Sequence, residues 1–94
     1  MDVRAQEEVD TALRDAVAAS LAAMLGRLLE YDGPITPDTL LQNQLGLSSS
    51  LALEVLLGIE EEHEIQIDVE QMDEDKIMTL MDLATYIAEH SLPF

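Results

Sequence analysis

Three consecutive serines, Ser48, Ser49 and Ser50, follow Leu45-Gly46-Leu47 and precede an apolar run that ends in Glu60-Glu61-Glu62-His63-Glu64. A hydroxyl at a helix start can serve two purposes. It can cap the helix by accepting a hydrogen bond from an otherwise unpaired backbone N–H, and one serine suffices for that. It can also carry a phosphate ester, which a helix N-terminus favours through its unpaired N–H groups and dipole. The glycine ahead permits a tight turn that holds the serines out in solvent. The stretch reads as a site on which another enzyme acts.

Other chemistries find less support. The segment from Asp68 to Lys76 has closely spaced acids. It lacks both the glycine at the sixth position and the closing glutamate of a calcium-binding loop, so no metal site is expected. His63-Glu64 has no second histidine at zinc-protease spacing, and His63 is expected at the core edge, partnered by backbone or water. Ser49 has no sequence cue for a general base, and the four glycines are too scattered for a phosphate or dinucleotide loop. Cysteine is absent, which removes disulfides, thiolate metal sites and sulfur nucleophiles. No catalytic residue is expected, and the chain is not read as an enzyme.

Charge points to the class of partner. Twenty acids stand against four bases, a net charge of −16. The bases are Arg4, Arg14, Arg27 and Lys76, so beyond residue 27 one cation faces fifteen acids. Such a field repels nucleic acid and anionic lipid and attracts basic protein surfaces. An apolar fraction of 48% is too high for a chain that cannot collapse. With 94 residues there is room for one small core. No apolar stretch reaches membrane-spanning length, and the acidic start fits neither a signal nor a transit peptide. A soluble, cytoplasmic monomer without nucleic-acid or membrane partners is the expectation.

The elements that must position the serines are mostly helical. After a polar lead-in over residues 1–8, Val9, Leu13, Val17, Leu21, Met24 and Leu28 recur at helical spacing among alanines. That helix should end near Glu30, ahead of Gly33, Pro34 and Pro37. A long loop follows to Leu47, with anchors at Ile35, Leu40, Leu41 and Leu45. A second helix, about Ser49 to His63, places Ala52, Val55, Leu56, Ile59 and His63 on its core side. Ser50, Glu54, Leu57, Glu61 and Glu64 face away, flanked by Leu53 and Glu60. Ile65, Ile67 and Val69 alternate like a strand, but no partner strand is evident, so they read as an extended connector reaching into the core. A short helix is expected around Met72 to Ile77. Thr79 with Asp82 resembles a capping box that opens a last helix through Leu83, Tyr86 and Ile87. His90, Ser91 and Pro93 end it, leaving 91–94 as a tail. The fold class is all-α: three main helices and one short one in a bundle over residues 9–90, with a long first loop.

The stretch from Leu45 to Ile67 resembles the modification site of acyl carrier proteins, whose usual form is L-G-x-D-S-L followed by a helix bearing E and then L-E-E-E-F. Here Leu45-Gly46-Leu47-Ser48-Ser49-Ser50 opens the motif, Glu54 lies five after Ser49, and Ile59-Glu60-Glu61-Glu62-His63 fills the later block. The likeness extends over roughly residues 9–90. Ser48 stands where the family has aspartate, Ser50 replaces leucine, His63 the aromatic, and Asp68 a common proline. The resemblance implies a four-helix carrier bundle and a 4′-phosphopantetheine cofactor on Ser49, with Ser48 as N-cap. The thiol of that arm would hold fatty-acid-type, polyketide-type or other specialised intermediates as thioesters. It further implies a partner-docking face of Ser50, Leu53, Glu54, Leu57, Glu60 and Glu61. The partners would be a phosphopantetheinyl transferase, then a loading ligase or acyltransferase and downstream enzymes with basic docking surfaces. The wording is closest to free-standing carriers of specialised pathways. Two alternatives stay open: an aminoacyl or peptidyl carrier loaded by an amino-acid-activating enzyme, and an unmodified acidic adaptor using the same helix face.

Overall fold

The computed structural model describes residues 11–93, with the side chains of residues 49, 74 and 93 outside that description. The lead-in over residues 1–8, Val9 and the last residue also lie outside it. The first helix, α1, spans Thr11–Leu28. Its buried stripe is Val17, Ala18, Leu21, Met24 and Leu25. Leu28, expected in that stripe, is instead exposed. At 3.6 residues per turn Leu28 still falls on the buried side, so its exposure comes from its place as the last residue of the helix and not from its face. Glu30 ends the helix in a left-handed conformation, φ 49°. The Tyr31 N–H donates back to the Gly26 carbonyl at 3.1 Å, which satisfies one of the helix's last carbonyls.

The segment from Tyr31 to Leu47 is tied down by its backbone. Leu40 bridges to Thr79, and the N–H groups of Leu41, Leu80 and Met81 donate to the carbonyls of Met78, Thr39 and Pro37 at 2.9–3.0 Å. Buried Leu41 and Leu45 anchor it as expected, with Ile35 and Leu40 half-buried. Thr39 is the buried polar side chain of the core, and its hydroxyl accepts the Thr36 N–H at 2.8 Å.

Helix α2 covers Ser49–His63 and helix α3 covers Leu80–Glu89. Both pack on α1, α3 the more extensively. The largest fully enclosed side chains are Val17, Leu21 and Leu25 from α1, Val55 and Ile59 from α2, and Leu80 and Ile87 from α3. The expected short helix is a single 3₁₀ turn, Glu74–Lys76.

The connector differs from expectation. Ile65–Ile67 is a strand, β1, and it does have a partner. Ser91–Pro93 forms β2, antiparallel to it, with Ile65 opposite Pro93 and Ile67 opposite Ser91. The segment read as a tail therefore closes a two-stranded ribbon. Ile65 and Ile67 enter the core as expected, while Val69 lies past the strand and is exposed. The ribbon is reinforced by the Asp68 N–H donating to the His90 carbonyl at 2.9 Å, and by the Tyr86 hydroxyl donating to the Asp68 carbonyl. Tyr86 also stacks on His90, ring centroids 4.1 Å apart. Burial, and secondarily the charge of Asp68, push the Tyr86 phenol above its ordinary pKa.

Candidate functional site

The start of α2 is set by the turn before it. The N–H groups of Gln44 and Leu45 donate to the Leu40 carbonyl, that of Gly46 to Gln42 and that of Leu47 to Leu41, at 2.9–3.3 Å. Gly46 sits at φ 63° with open space where a Cβ would stand. Glycine is needed there for its backbone conformation, not for room. Ser48 is extended (φ −84°, ψ 164°), and its hydroxyl accepts the Leu51 N–H at 3.2 Å, the expected N-cap. Ser49 is the first residue of the helix.

The first turn of α2 contains no acid. A helix start carries unpaired N–H groups and roughly half a positive charge. Within that turn no carboxylate answers them, so an anionic ester at this point meets backbone donors and no acid of the first turn. Ser48, standing where the proteins the sequence resembles have aspartate, contributes to that. A phosphodiester on Ser49 fits this arrangement.

Beside it lies an apolar cavity of about 70 Å³. Its apolar lining includes Leu47, Leu56, Met72 and Ile77, and the exposed Ser48 and Gln42 also lie in its wall. Sequence reading did not single out Gln42, Met72 or Ile77 as parts of the site. They converge only because the 3₁₀ turn folds back towards the first loop, and no periodicity announces that.

Along α2 the outer face is largely as expected. Ser50, Glu54 and Glu61 are exposed, and Leu53 and Leu57 are each 54% exposed. Glu60 departs from the others. It is half-buried, and its Oε2 accepts the Ile67 N–H of β1 at 2.7 Å. That carboxylate serves the ribbon, so of the three acids expected to dock partners Glu54 and Glu61 remain freely presented. His63 lies at the core edge as expected, and the partners the structure gives it are side chains. Its Nε2 lies 2.9 Å from Ser20 Oγ on α1 and 3.4 Å from Glu62 Oε2, and the Ser20 hydroxyl also bonds Glu62. Ser20, Glu62 and His63 together latch α2 to α1. The carboxylate sits on the same ring nitrogen as the serine, whereas a nucleophile-activating triad needs it on the other.

Among the described residues no group of three or more metal-ligating side chains converges, and no helix is long and apolar enough to cross a membrane.

Comparison with known proteins agrees with this geometry. The family model described as "Phosphopantetheine attachment site" matches residues 19–87. A curated Schizosaccharomyces pombe protein, named as a mitochondrial acyl carrier protein, is 41% identical over 56 residues, 60% of this chain. The aligned part is 48% of that relative, so the chain spans about half the length of the curated relative it matches. No solved structure matches the chain.

Proposed function

Since the chain belongs to the phosphopantetheine-attachment family of acyl carrier proteins, whose prosthetic group is 4′-phosphopantetheine, we propose that Ser49 carries that group and that the domain presents thioester-bound biosynthetic intermediates to partner enzymes. The terminal thiol of the group supplies the thioester chemistry, so the absence of cysteine from the chain is no obstacle. The domain itself holds and presents, and catalysis belongs to its partners. The observation that carries this reading is the start of α2, where a serine opens the helix, no acid occupies the first turn and an apolar cavity lies alongside.

Docking falls to the outer face of α2. Glu54 and Glu61 meet basic surfaces, while Ser50, Leu53 and Leu57 supply the uncharged contact. Rim charges of this kind mainly govern encounter rate and salt dependence, which suits a shuttle that must leave each partner. The partners in this reading are a phosphopantetheinyl transferase, a loading ligase or acyltransferase, and downstream biosynthetic enzymes.

Coexpression with a promiscuous phosphopantetheinyl transferase tests the attachment. Intact mass should rise by one phosphopantetheinyl group, and Ser49→Ala should abolish the gain while Ser50→Ala retains it. The reverse pattern would move the attachment point to Ser50. If no transferase modifies the chain, the acidic adaptor reading replaces this one.

A further inference from the structure

A second, polar groove of about 170 Å³ adjoins the apolar cavity. Its walls include Gln42, Asn43, Asp75 and Met78, and it shares Gln42 and Ile77 with the cavity. The two spaces therefore meet at one wall, and the shared polar side chain there is that of Gln42.

The backbone of this segment is held by the bonds of the turn, with the Gln42 carbonyl accepting the Gly46 N–H at 2.9 Å. The side chains divide into two kinds. Gln44 is spent on the fold, its Oε1 accepting the Leu40 N–H at 2.7 Å. The side-chain amides of Gln42 and Asn43 bond to nothing among the described residues, and both residues are exposed. Two free amides thus stand on a fixed turn, next to the helix start that opens with Ser49.

A phosphopantetheine arm contains two amides and ends in a thiol. An amide that leaves water needs a partner, or it costs about 1–3 kcal/mol. The apolar cavity offers little but hydrocarbon to the arm, whereas the groove offers amide donors and acceptors and the Asp75 carboxylate. An arm lying against the protein can satisfy its amides in the groove and its apolar end in the cavity, and the shared wall between them is Gln42.

Resting on the carrier reading above, we propose that Gln42, assisted by Asn43, is a positioning residue for the prosthetic arm. Its side-chain amide hydrogen-bonds an arm amide, which places the thioester end at the cavity between Leu47, Met72 and Ile77, away from water. Gln42 thereby sets how long a loaded intermediate survives between partners.

The test uses ¹⁵N-labelled full chain in its unmodified, phosphopantetheinylated and butanoyl-loaded forms. On arm addition the side-chain amide signals of Gln42 and Asn43 should shift and show contacts to arm protons, while those of Gln44 should stay in place. Gln42→Ala should leave helical content and melting unchanged, since its side chain makes no bond within the fold. It should also speed hydroxylamine cleavage of the butanoyl thioester about two- to tenfold, the population change expected from losing one hydrogen bond. An arm present with the Gln42 signal unmoved, or cleavage unchanged in Gln42→Ala, overturns this inference and leaves the carrier reading intact. Failure of any transferase to add an arm overturns the carrier reading, and this inference with it.

Discussion

Helices α2 and α3 begin alike and finish their starts differently. Each opens on an extended hydroxyl residue whose oxygen accepts an N–H three residues on: Ser48 from Leu51, and Thr79 from Asp82. At α3 the chain then completes the job itself. Asp82 Oδ2 accepts the N–H groups of Thr79 at 3.0 Å and Met78 at 3.1 Å, which closes a capping box. Those bonds, that of Thr79 first, hold the Asp82 carboxyl below its usual pKa against a smaller opposing effect of desolvation. At α2 no acid follows within the first turn. One helix start is neutralised from within and serves the fold. The other keeps its positive end and suits a covalent anion supplied from outside. The same local physics is structural where a carboxylate answers it and, in the carrier reading proposed above, functional where none does.

The sharpest test of that contrast is all-or-none. Ser49→Ala should remove modification completely, whereas Thr79→Ala should leave it intact, both read by intact mass after coexpression with a transferase. Equal loss in both would mean that modification reads overall stability and not the start of α2.

Next in size is a contrast within α2. Glu60→Lys strips the partner from the Ile67 N–H, and an unpaired, largely buried donor costs about 1–3 kcal/mol in urea unfolding. Glu61→Lys, on an exposed site, should stay within about 0.5 kcal/mol, while weakening capture by a basic partner surface. Equal stability losses would show that the two acids are not divided between ribbon and docking face.

At α3 itself, Asp82→Ala should cost about 1 kcal/mol at neutral pH, in line with loss of a helix cap. The sign of its pH dependence follows from linkage. The folded-state pKa of Asp82 is depressed, so its contribution is present above the unfolded value of about 4 and is lost as pH falls through the lower folded value. Wild type and Asp82→Ala should therefore converge in stability on acidification below about pH 4. Parallel curves down to the folded value would assign the loss to something other than the carboxylate.

The smallest effect is a transplant. Ser50→Asp gives α2 the acid that its first turn lacks, which should stabilise the helix by about 0.3–1 kcal/mol. It also sets a negative charge beside the ester, so modification should slow relative to Ser50→Asn. Unchanged modification kinetics would remove electrostatics from the account of this site.

Much of this molecule was legible before folding. The span of α2, its Ser48 cap, the Thr79–Asp82 box and the anchoring of the first loop by Leu41 and Leu45 all rest on local rules. Caps, helical spacing and glycine or proline breaks act within a few residues, so a linear reading can find them. The serine stretch belongs to this local kind too, because turn, cap and helix start are consecutive in the chain.

What tertiary structure decided involves residues far apart. Three-residue strands have too little pattern to reveal their pairing, so β1 looked unpartnered until Ser91–Pro93 lay beside it. The inward turn of Glu60 is also a tertiary matter, since the acceptor is on α2 and the donor, Ile67, belongs to the ribbon. The latch of Ser20 with Glu62 and His63 spans more than forty residues. The cavity beside Ser48 draws on the first loop, α2, Met72 and Ile77. The serines, the bare helix start and the acidic face were determined by sequence, because each needs only its neighbours. Which acid is spent on the fold, and which side chains gather beside the serines, was set by packing, which joins residues that no local spacing relates.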